Sequence, residues 1–594
     1  MSPRRSGPRA GGLALIAAYA RPHRLGIGIG VLLGLFATGV TLATPLAAKW
    51  VLDGLGAGLD LAGPVGALVI LLLVGTCAGF AQTVVLGRLA ERIVLDARRS
   101  LIQRFFRARL EQIQRFRTGE LVTRVTSDTV LLRAAATSSV VQLINGAVAL
   151  VGTVILMAFL DEVLLLTTLA ALALVGGLFA VFLPRIGRAT KRAQDAMGEL
   201  GSSLEGGMRA LRTIKSSRAE DREIARVTAS AEDSARHSIR SVWFSALVWA
   251  VAGGGMQLSL VAVLGLGAWR VSSGELAVSS LVAFLLYAVN IIDPITTLAG
   301  AFASIQAGLA AAARITETSH LELEDTRRRP ASDPERRIDC AAPVLAVRDV
   351  RAAYGDGARD VLRDVTIEIP RIGHVALVGP SGAGKTTVFS LLLRFMDPRE
   401  GHVELDGTPY AHLSIDDVRS RIAYVEQETP VIPGTVRDNV LFRVDDGTDE
   451  EAWVALTAVG LDERIRALPE GLDTAVVETS LSGGERQRLA VSRALVRRPS
   501  VLLLDEATAQ LDAGAEAAIQ EIIAETAATG AVVTIAHRLS TILEADQIIV
   551  LDAGSVRDSG THDELLRRDD LYRGLIQALR IEARGEQLAG NLRR

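Results

Sequence analysis

Two textures of apolar residues divide this chain: long uncharged runs before residue 300, and short strand-like runs after residue 343. Six early stretches, 25–48, 61–87, 134–160, 163–183, 246–269 and 276–294, each approach or exceed the ~20 residues that a helix needs to cross a hydrocarbon core. Their recurrence argues against six buried core helices, and the first is too long and too often repeated to be a cleaved leader. Only Asp161 and Glu162 separate the third from the fourth, which predicts a tight helical hairpin.

Charge orients these spans. Segments 88–133 and 184–240 carry Arg98, Arg99, Arg104, Arg107, Arg185, Arg188, Arg209 and Arg212, while 49–60, 161–162 and 270–275 are nearly free of basic residues. Arginine-rich loops stay on the cytoplasmic side, so both termini are expected there. Within the two long loops, apolar positions such as Leu101, Ile102, Phe105 and Phe106 are interleaved with polar ones. The pattern predicts membrane helices extending into the cytosol and turning near Gly119 and near Gly206 and Gly207, since glycine tolerates backbone angles that other residues avoid. Asp293, beside Pro294 and one turn after Asn290, is costly at mid-membrane, by about 2.5–3.5 kcal/mol. Either a wet cavity or the interface would accommodate it. Gln82, Gln142, Asn145 and Gln257 suit hydrogen bonding between helices.

At 594 residues the chain has room for roughly three or four domain-sized units. Hydrophobic residues make up 49%, and a net charge of −3 gives no electrostatic reason to expect nucleic acid. With Cys77 and Cys340 as the only cysteines, a disulfide framework is not expected. Lysine occurs only at Lys49, Lys191, Lys215 and Lys385, arginine filling the other basic positions. That bias makes Lys385 conspicuous, because a compact point charge is kept there.

Residues 321–343 are charged and contain proline, as a linker would be, and 344–369 alternate in the manner of strands. The apolar run 375–378 then delivers the chain into Gly379-Pro-Ser381-Gly382-Ala-Gly384-Lys385-Thr386-Thr387, followed by a helical pattern from Val388. This is the G-x-x-x-x-G-K-[ST] phosphate loop in its strand-to-helix setting: backbone N–H groups wrap a polyphosphate and the lysine neutralises its outer charge. Downstream come Leu481-Ser482-Gly483-Gly484-Glu485, the strand-like 501–504 ending in Asp505-Glu506, and His537 after the apolar run 532–536.

That ordered set resembles the ATP-binding cassette family, and the resemblance to exporter-type half-transporters covers nearly the whole chain. It implies a multidomain membrane protein: a six-helix α transmembrane domain at 1–320, a linker at 321–343, an α/β P-loop ATP-binding cassette domain at 344–580 and a tail at 581–594. By the same resemblance Ser482, Gly483 and Gly484 begin a helix whose N–H groups face the γ-phosphate of ATP held by a second subunit, which is sound anion chemistry. Tyr354, followed by Gly355, looks like the aromatic that stacks on adenine. Thr386, Asp505 and Gln427 are the expected Mg²⁺ positions, Glu506 the general base, His537 the γ-phosphate contact and Asp512 part of the loop crossing the dimer seam. Two departures stand out: the segment before Leu481 is shortened, keeping Glu478 but no arginine–glycine pair, and Gln510 replaces the usual alanine.

The implied function is ATP-driven export of a small molecule, drug, lipid or natural product by a dimer with alternating access, embedded in a lipid bilayer with its ATPase domain in the cytoplasm. An intact set of motifs favours a homodimer. Uptake through an exporter-shaped protein, or a place as one half of a heterodimer, would leave the same motifs. A soluble cassette ATPase would lack the six spans, and a regulatory cassette protein would show a degraded site.

Overall fold

The computed structural model describes residues 8–58, 60–325, 342–355, 357–477, 480–506 and 513–591. The chain divides into two compact units, Met1–Ile102 with Thr118–His320, and Gln103–Arg117 with Leu321–Arg594.

The first unit is helical. Its elements are α1 (Pro8–Ala20), α2 (Arg24–Gly56), α3 (Ala62–Arg107, whose end joins the second unit), α4 (Leu110–Ile113, also in the second unit), α5 (Thr118–Thr123), α6 (Thr129–Ala136), α7 (Ser138–Leu160), α8 (Glu162–Arg209), α9 (Leu211–Ser216), α10 (Glu220–Ser272), α11 (Val278–Asn290) and α12 (Ile292–Ser319). Among the described residues five stretches are long and apolar enough to cross a membrane: Ala14–Gly56, Ala62–Arg107, Thr118–Leu160, Glu220–Ser272 and Val278–Ser319. The remaining expected span lies on α8, whose described apolar part is Glu162–Leu178. Helices suit this setting because each closes its own backbone hydrogen bonds where no water can.

The predicted hairpin is held at its tip. Asp161 caps α8 by accepting from the Leu164 N–H at 2.9 Å, and Arg270 at the end of α10 donates to its other oxygen at 3.1 Å. The two short acidic connections therefore meet at one end of the unit. At α12, Pro294 has no N–H to offer the Asn290 carbonyl, and the helix is interrupted at Ile291. Asn290 and Asp293 are both exposed on this chain. Gln82 donates to the Gly30 carbonyl at 3.1 Å, bonding α3 to α2. Farther along, Asp128 accepts two bonds from Arg314, at 2.9 and 2.5 Å, and buried Arg124 reaches Glu120 at 2.6 Å and Glu317 at 2.8 Å. These pairs tie the π-helical turn Arg124–Asp128 to α12.

The turns fall beside the expected glycines. Gly119 lies inside α5, the chain turning between Arg107 and Thr118; α8 continues through Gly206 and Gly207 to Arg209. A Cβ on Gly207 would sit 2.9 Å from the Glu223 carboxylate of α10, the movable end of a long side chain. The left-handed residue of that turn is Arg218, at φ 51°.

The second unit is built on two sheets. An antiparallel sheet takes β1 (Leu345–Ala352), β2 (Leu362–Ile369), β4 (Glu400–Leu405) and β5 (Thr408–Pro409) in the order β2-β1-β4-β5. The larger sheet takes β3 (Gly373–Val378), β6 (Ile422–Val425), β9 (Val501–Asp505), β10 (Ala531–Ile535), β11 (Gln547–Asp552) and β12 (Ser555–Gly560) in the order β12-β11-β3-β10-β9-β6. A short pair, β7 (Gly434–Thr435) and β8 (Ala475–Val476), completes the set. Only β12 runs antiparallel in the larger sheet. Every residue of β9 and β10 is buried, as expected of parallel strands covered on both faces. The last helix runs Asp570–Asn591, through the boundary expected at residue 580.

The start of the expected linker belongs to this unit as well. Leu323 pairs with Ala108 in an antiparallel bridge, with Glu324 N–H bonded to Arg107 O at 2.7 Å and Arg109 N–H to Glu322 O at 2.9 Å. Arg109 also reaches Asp397 at 3.0 Å, and Arg419 grips Glu324 through two bonds of 2.7 and 2.8 Å.

Candidate active site

Four parallel strands, β3, β10, β9 and β6, lie side by side, so the loops after them emerge along one edge of the sheet. Ligands of such sheets bind at the carboxyl ends of the strands. After β3 comes the phosphate loop, after β9 Glu506, after β10 His537 and after β6 Gln427. Strand order thus gathers groups that are up to 158 residues apart in sequence, from the Gly379 backbone to the His537 ring.

The loop is shaped by its glycines. Gly379 has φ 155°, and a Cβ on it would lie 2.2 Å from the Leu551 carbonyl oxygen. Gly384, at φ 100°, is the N-cap of the helix Lys385–Leu392. Ser381, Gly382 and Thr386 are exposed, whereas Lys385 and Thr387 are buried. The Lys385 ammonium donates to the carbonyls of Gly379 at 2.8 Å and Pro380 at 3.0 Å. Burial lowers its pKa, and the charges of Glu506 and Asp505 oppose that effect.

Glu506 sits between two partners. Gln427 Nε2 donates to one carboxylate oxygen at 2.6 Å, and His537 Nε2 lies 2.9 Å from the other. Glu506 also carries a left-handed φ of 50°, a conformation that costs energy in a non-glycine residue. Its neighbour Asp505 is buried, and burial together with the Glu506 charge pushes its pKa up to about 6 against the pull of Lys385. Tyr354 is half exposed and its hydroxyl lies 3.1 Å from Thr387 Oγ1, beside the phosphate loop.

Ser482 is the N-cap of the helix Gly483–Leu495. Its hydroxyl accepts from the Glu485 N–H at 3.2 Å while the Glu485 carboxylate accepts from the Ser482 N–H at 2.8 Å. These bonds, with the pairing of Arg464 to Glu485 at 3.1 Å, hold the Glu485 carboxyl below its usual range. Gly483 and Gly484 form the first turn of that helix, where free N–H groups favour an anion. The structure therefore brings together Gln427, Asp505, Glu506, His537 and Lys385, and places Tyr354 against Thr387. The bonds of Ser482 remain within its own helix. Asp512, Gln510 and Glu478 lie outside the described residues.

Two residues escaped the sequence reading. Tyr424, packed edge-on to Phe389, presents its hydroxyl to Asp505. Arg399 braces the turn after Tyr354 through bonds to Gly355 O at 2.7 Å, Ala358 O at 3.0 Å and Asp360 at 2.9 Å. Only the position of Tyr424 just upstream of Gln427 could have pointed to it.

The donor set suits a hard divalent ion: an exposed Thr386 hydroxyl, the Asp505 carboxylate and the Gln427 amide are all oxygen donors. Among the described residues no group of three or more His, Cys, Asp and Glu side chains could hold a metal, so nucleotide and water oxygens would complete its shell.

Residues 27–295 match the family model of the ABC transporter transmembrane region, and 362–509 match the ABC transporter model. A "Multidrug resistance ABC transporter ATP-binding and permease protein" of Lactococcus lactis subsp. lactis is 30% identical over 560 residues, 93% of either chain. The "Mitochondrial potassium channel ATP-binding subunit" of Mus musculus is 30% identical over 581 residues, covering 95% of this chain and 80% of that protein. Among solved structures, a bacterial Atm1-family ABC exporter with ATP bound is similar at a TM-score of 0.74 and 26% identity, over 93% of this chain and 97% of that one. The chain belongs to the ABC transporter family, as an exporter-type half-transporter that couples ATP hydrolysis to transport across the membrane in which it is embedded.

Proposed function

We propose that two copies of this chain form a homodimeric exporter that moves a small molecule or lipid out of the cytoplasm, with both termini and the ATPase unit on the cytoplasmic face of a bacterial plasma membrane. The observation that carries this reading is the Glu506 carboxylate held between Gln427 and His537, with Lys385 near enough to feel its charge. Arginine-rich loops support the orientation. The name of the lactococcal relative supports a drug-like cargo.

In this mechanism Lys385 exchanges its two loop carbonyls for the outer phosphate oxygens of ATP, and the glycine-shaped loop supplies N–H donors to the rest. Tyr354 stacks on the base. Thr386 and Asp505, with Gln427, would hold Mg²⁺, which when bound would supply positive charge against the phosphates as the terminal P–O bond breaks. Glu506 orients and polarises the attacking water, the left-handed backbone and the two flanking groups fixing its direction. His537 steadies that carboxylate and faces the γ-phosphate. Ser482, Gly483 and Gly484 of the second copy close over the same phosphate, and Asp512 lies in the crossing loop. Closure needs nucleotide, and hydrolysis releases it, so the membrane unit alternates between its two openings.

The test uses the chain alone in lipid nanodiscs and in inside-out vesicles. Wild-type protein should hydrolyse ATP unaided and fill the vesicles with a drug-like dye, and Glu506→Gln should bind ATP and lose about 10²-fold or more in turnover. Near-wild-type turnover in the variant removes Glu506 as base, absence of ATPase in the lone chain removes the homodimer, and dye leaving preloaded vesicles reverses the direction.

A further inference from the structure

Behind His537 lies a polar cluster that the site's own motifs leave unused. Arg538, the next residue, pairs with Glu516 on the helix Ala513–Ala527. Ser540 Oγ donates to the other Glu516 oxygen at 2.9 Å, and Gln520, one turn along the same helix, donates to Thr541 Oγ1 at 2.9 Å. Five side chains thus bind the helix that follows the β9 loop to the segment leaving β10. Both members of the ion pair are about three-quarters buried, with side-chain exposures of 25% for Arg538 and 22% for Glu516. Such a pair is screened less than a surface one, and removing one partner leaves the other uncompensated.

His537 is 43% exposed, and among the described residues its ion pair is with Glu506. We infer that Glu516, through Arg538 and Ser540, is a positioning residue that sets His537 against the Glu506 carboxylate. Arg538 is suited to this because a planar guanidinium fixes direction where an ammonium would not. A Glu516 that only favours the start of its helix by charge would instead contribute to stability alone. The inference rests on the assignment of Glu506 as base.

The experiment is a double-mutant cycle on full-length protein in nanodiscs, reading kcat and KM for ATP and the melting temperature. Glu516→Ala and Arg538→Ala should each lower kcat by about tenfold, leave KM within about twofold, and together cost about tenfold rather than about a hundredfold. Additive losses, an unchanged kcat, or a loss confined to KM or melting temperature would overturn the inference. Should an alanine variant fail to fold, Glu516→Gln keeps an acceptor for Ser540 and removes the charge facing Arg538; wild-type kcat there overturns it equally. Glu506→Gln run in parallel separates the two levels: if it keeps its turnover the base assignment fails, and if it stalls while Glu516→Ala does not, only the positioning role fails.

Discussion

The membrane unit and the ATPase unit use the same apolar side chains in opposite ways. In the first, Leu72, Phe159, Leu166 and Trp249 are more than two-thirds exposed, whereas in the second the whole of β9 and β10 is buried. Lipid accepts what water would reject, so hydrophobicity places the first unit while gathering only a modest core around Met157, Phe284 and Tyr287, and polar pairs such as Asp161 with Arg270 and Asp128 with Arg314 join its helices. In the second unit, the buried parallel strands pair without register shifts, and that register aligns the ends of β3, β6, β9 and β10. Chemistry is therefore concentrated where packing is strict.

Glycines sharpen the contrast. In the phosphate loop a Cβ on Gly379 would strike the Leu551 backbone oxygen at 2.2 Å, and backbone of a central strand cannot give way. Gly379→Ala should abolish nucleotide binding and lower ATPase by about 10²-fold or more, because a displacement of about 1 Å already costs that much. Nucleotide binding by fluorescence and turnover at saturating ATP check this, and near-normal affinity would show that the loop is softer than its contacts imply.

How far the chain could be read follows the same division. The grouping of Lys385, Asp505, Glu506 and His537 was legible because each belongs to a motif at or shortly after a short apolar strand, Lys385 opening the helix after β3. Tyr424 and Arg399 were not, since their roles arise from packing between segments distant in sequence. In the membrane unit the apolar runs located the helices, but a glycine pair looked like a turn and is helix interior: α8 continues through Gly206 and Gly207, and the left-handed residue of the reversal is Arg218. A helical glycine and a turn glycine are the same letter. The interruption of the helix at Ile291 has a plainer cause, as the missing N–H of Pro294 acts whatever surrounds it.

A second glycine tests whether the membrane unit is more forgiving. A Cβ on Gly34 would lie 1.9 Å from Asn145 Nδ2 and 2.3 Å from Gln82 Nε2, both of them ends of flexible side chains. Gly34→Ala should displace these amides and weaken the packing of α2 on α3 and α7 by about 1–3 kcal/mol, the usual cost of overpacking. The melting temperature in nanodiscs should fall by several degrees while ATP affinity is unchanged. A fall in nucleotide affinity as deep as that of Gly379→Ala would erase the distinction between the units.

The smallest effect expected is a gain. Asp505 is buried, and its pKa of about 6 lies above the ~3.9 of an unfolded aspartate, so folding favours its protonated form. The sign follows directly: the group's contribution is fully present below about pH 4 and is lost as pH rises through about 6, where a desolvated carboxylate must be held beside Glu506. Asp505→Asn keeps the shape and removes that charge. Nucleotide-free protein without divalent ions should then melt ~2–4 °C higher at about pH 8, and the gain should shrink at about pH 5, while ATPase is lost at both. An equal gain at both pH values would trace the effect to packing, and no gain would mean that Lys385 already compensates the charge. The outcome expected here identifies strain kept for the nucleotide site, in the unit whose core could otherwise have been built without it.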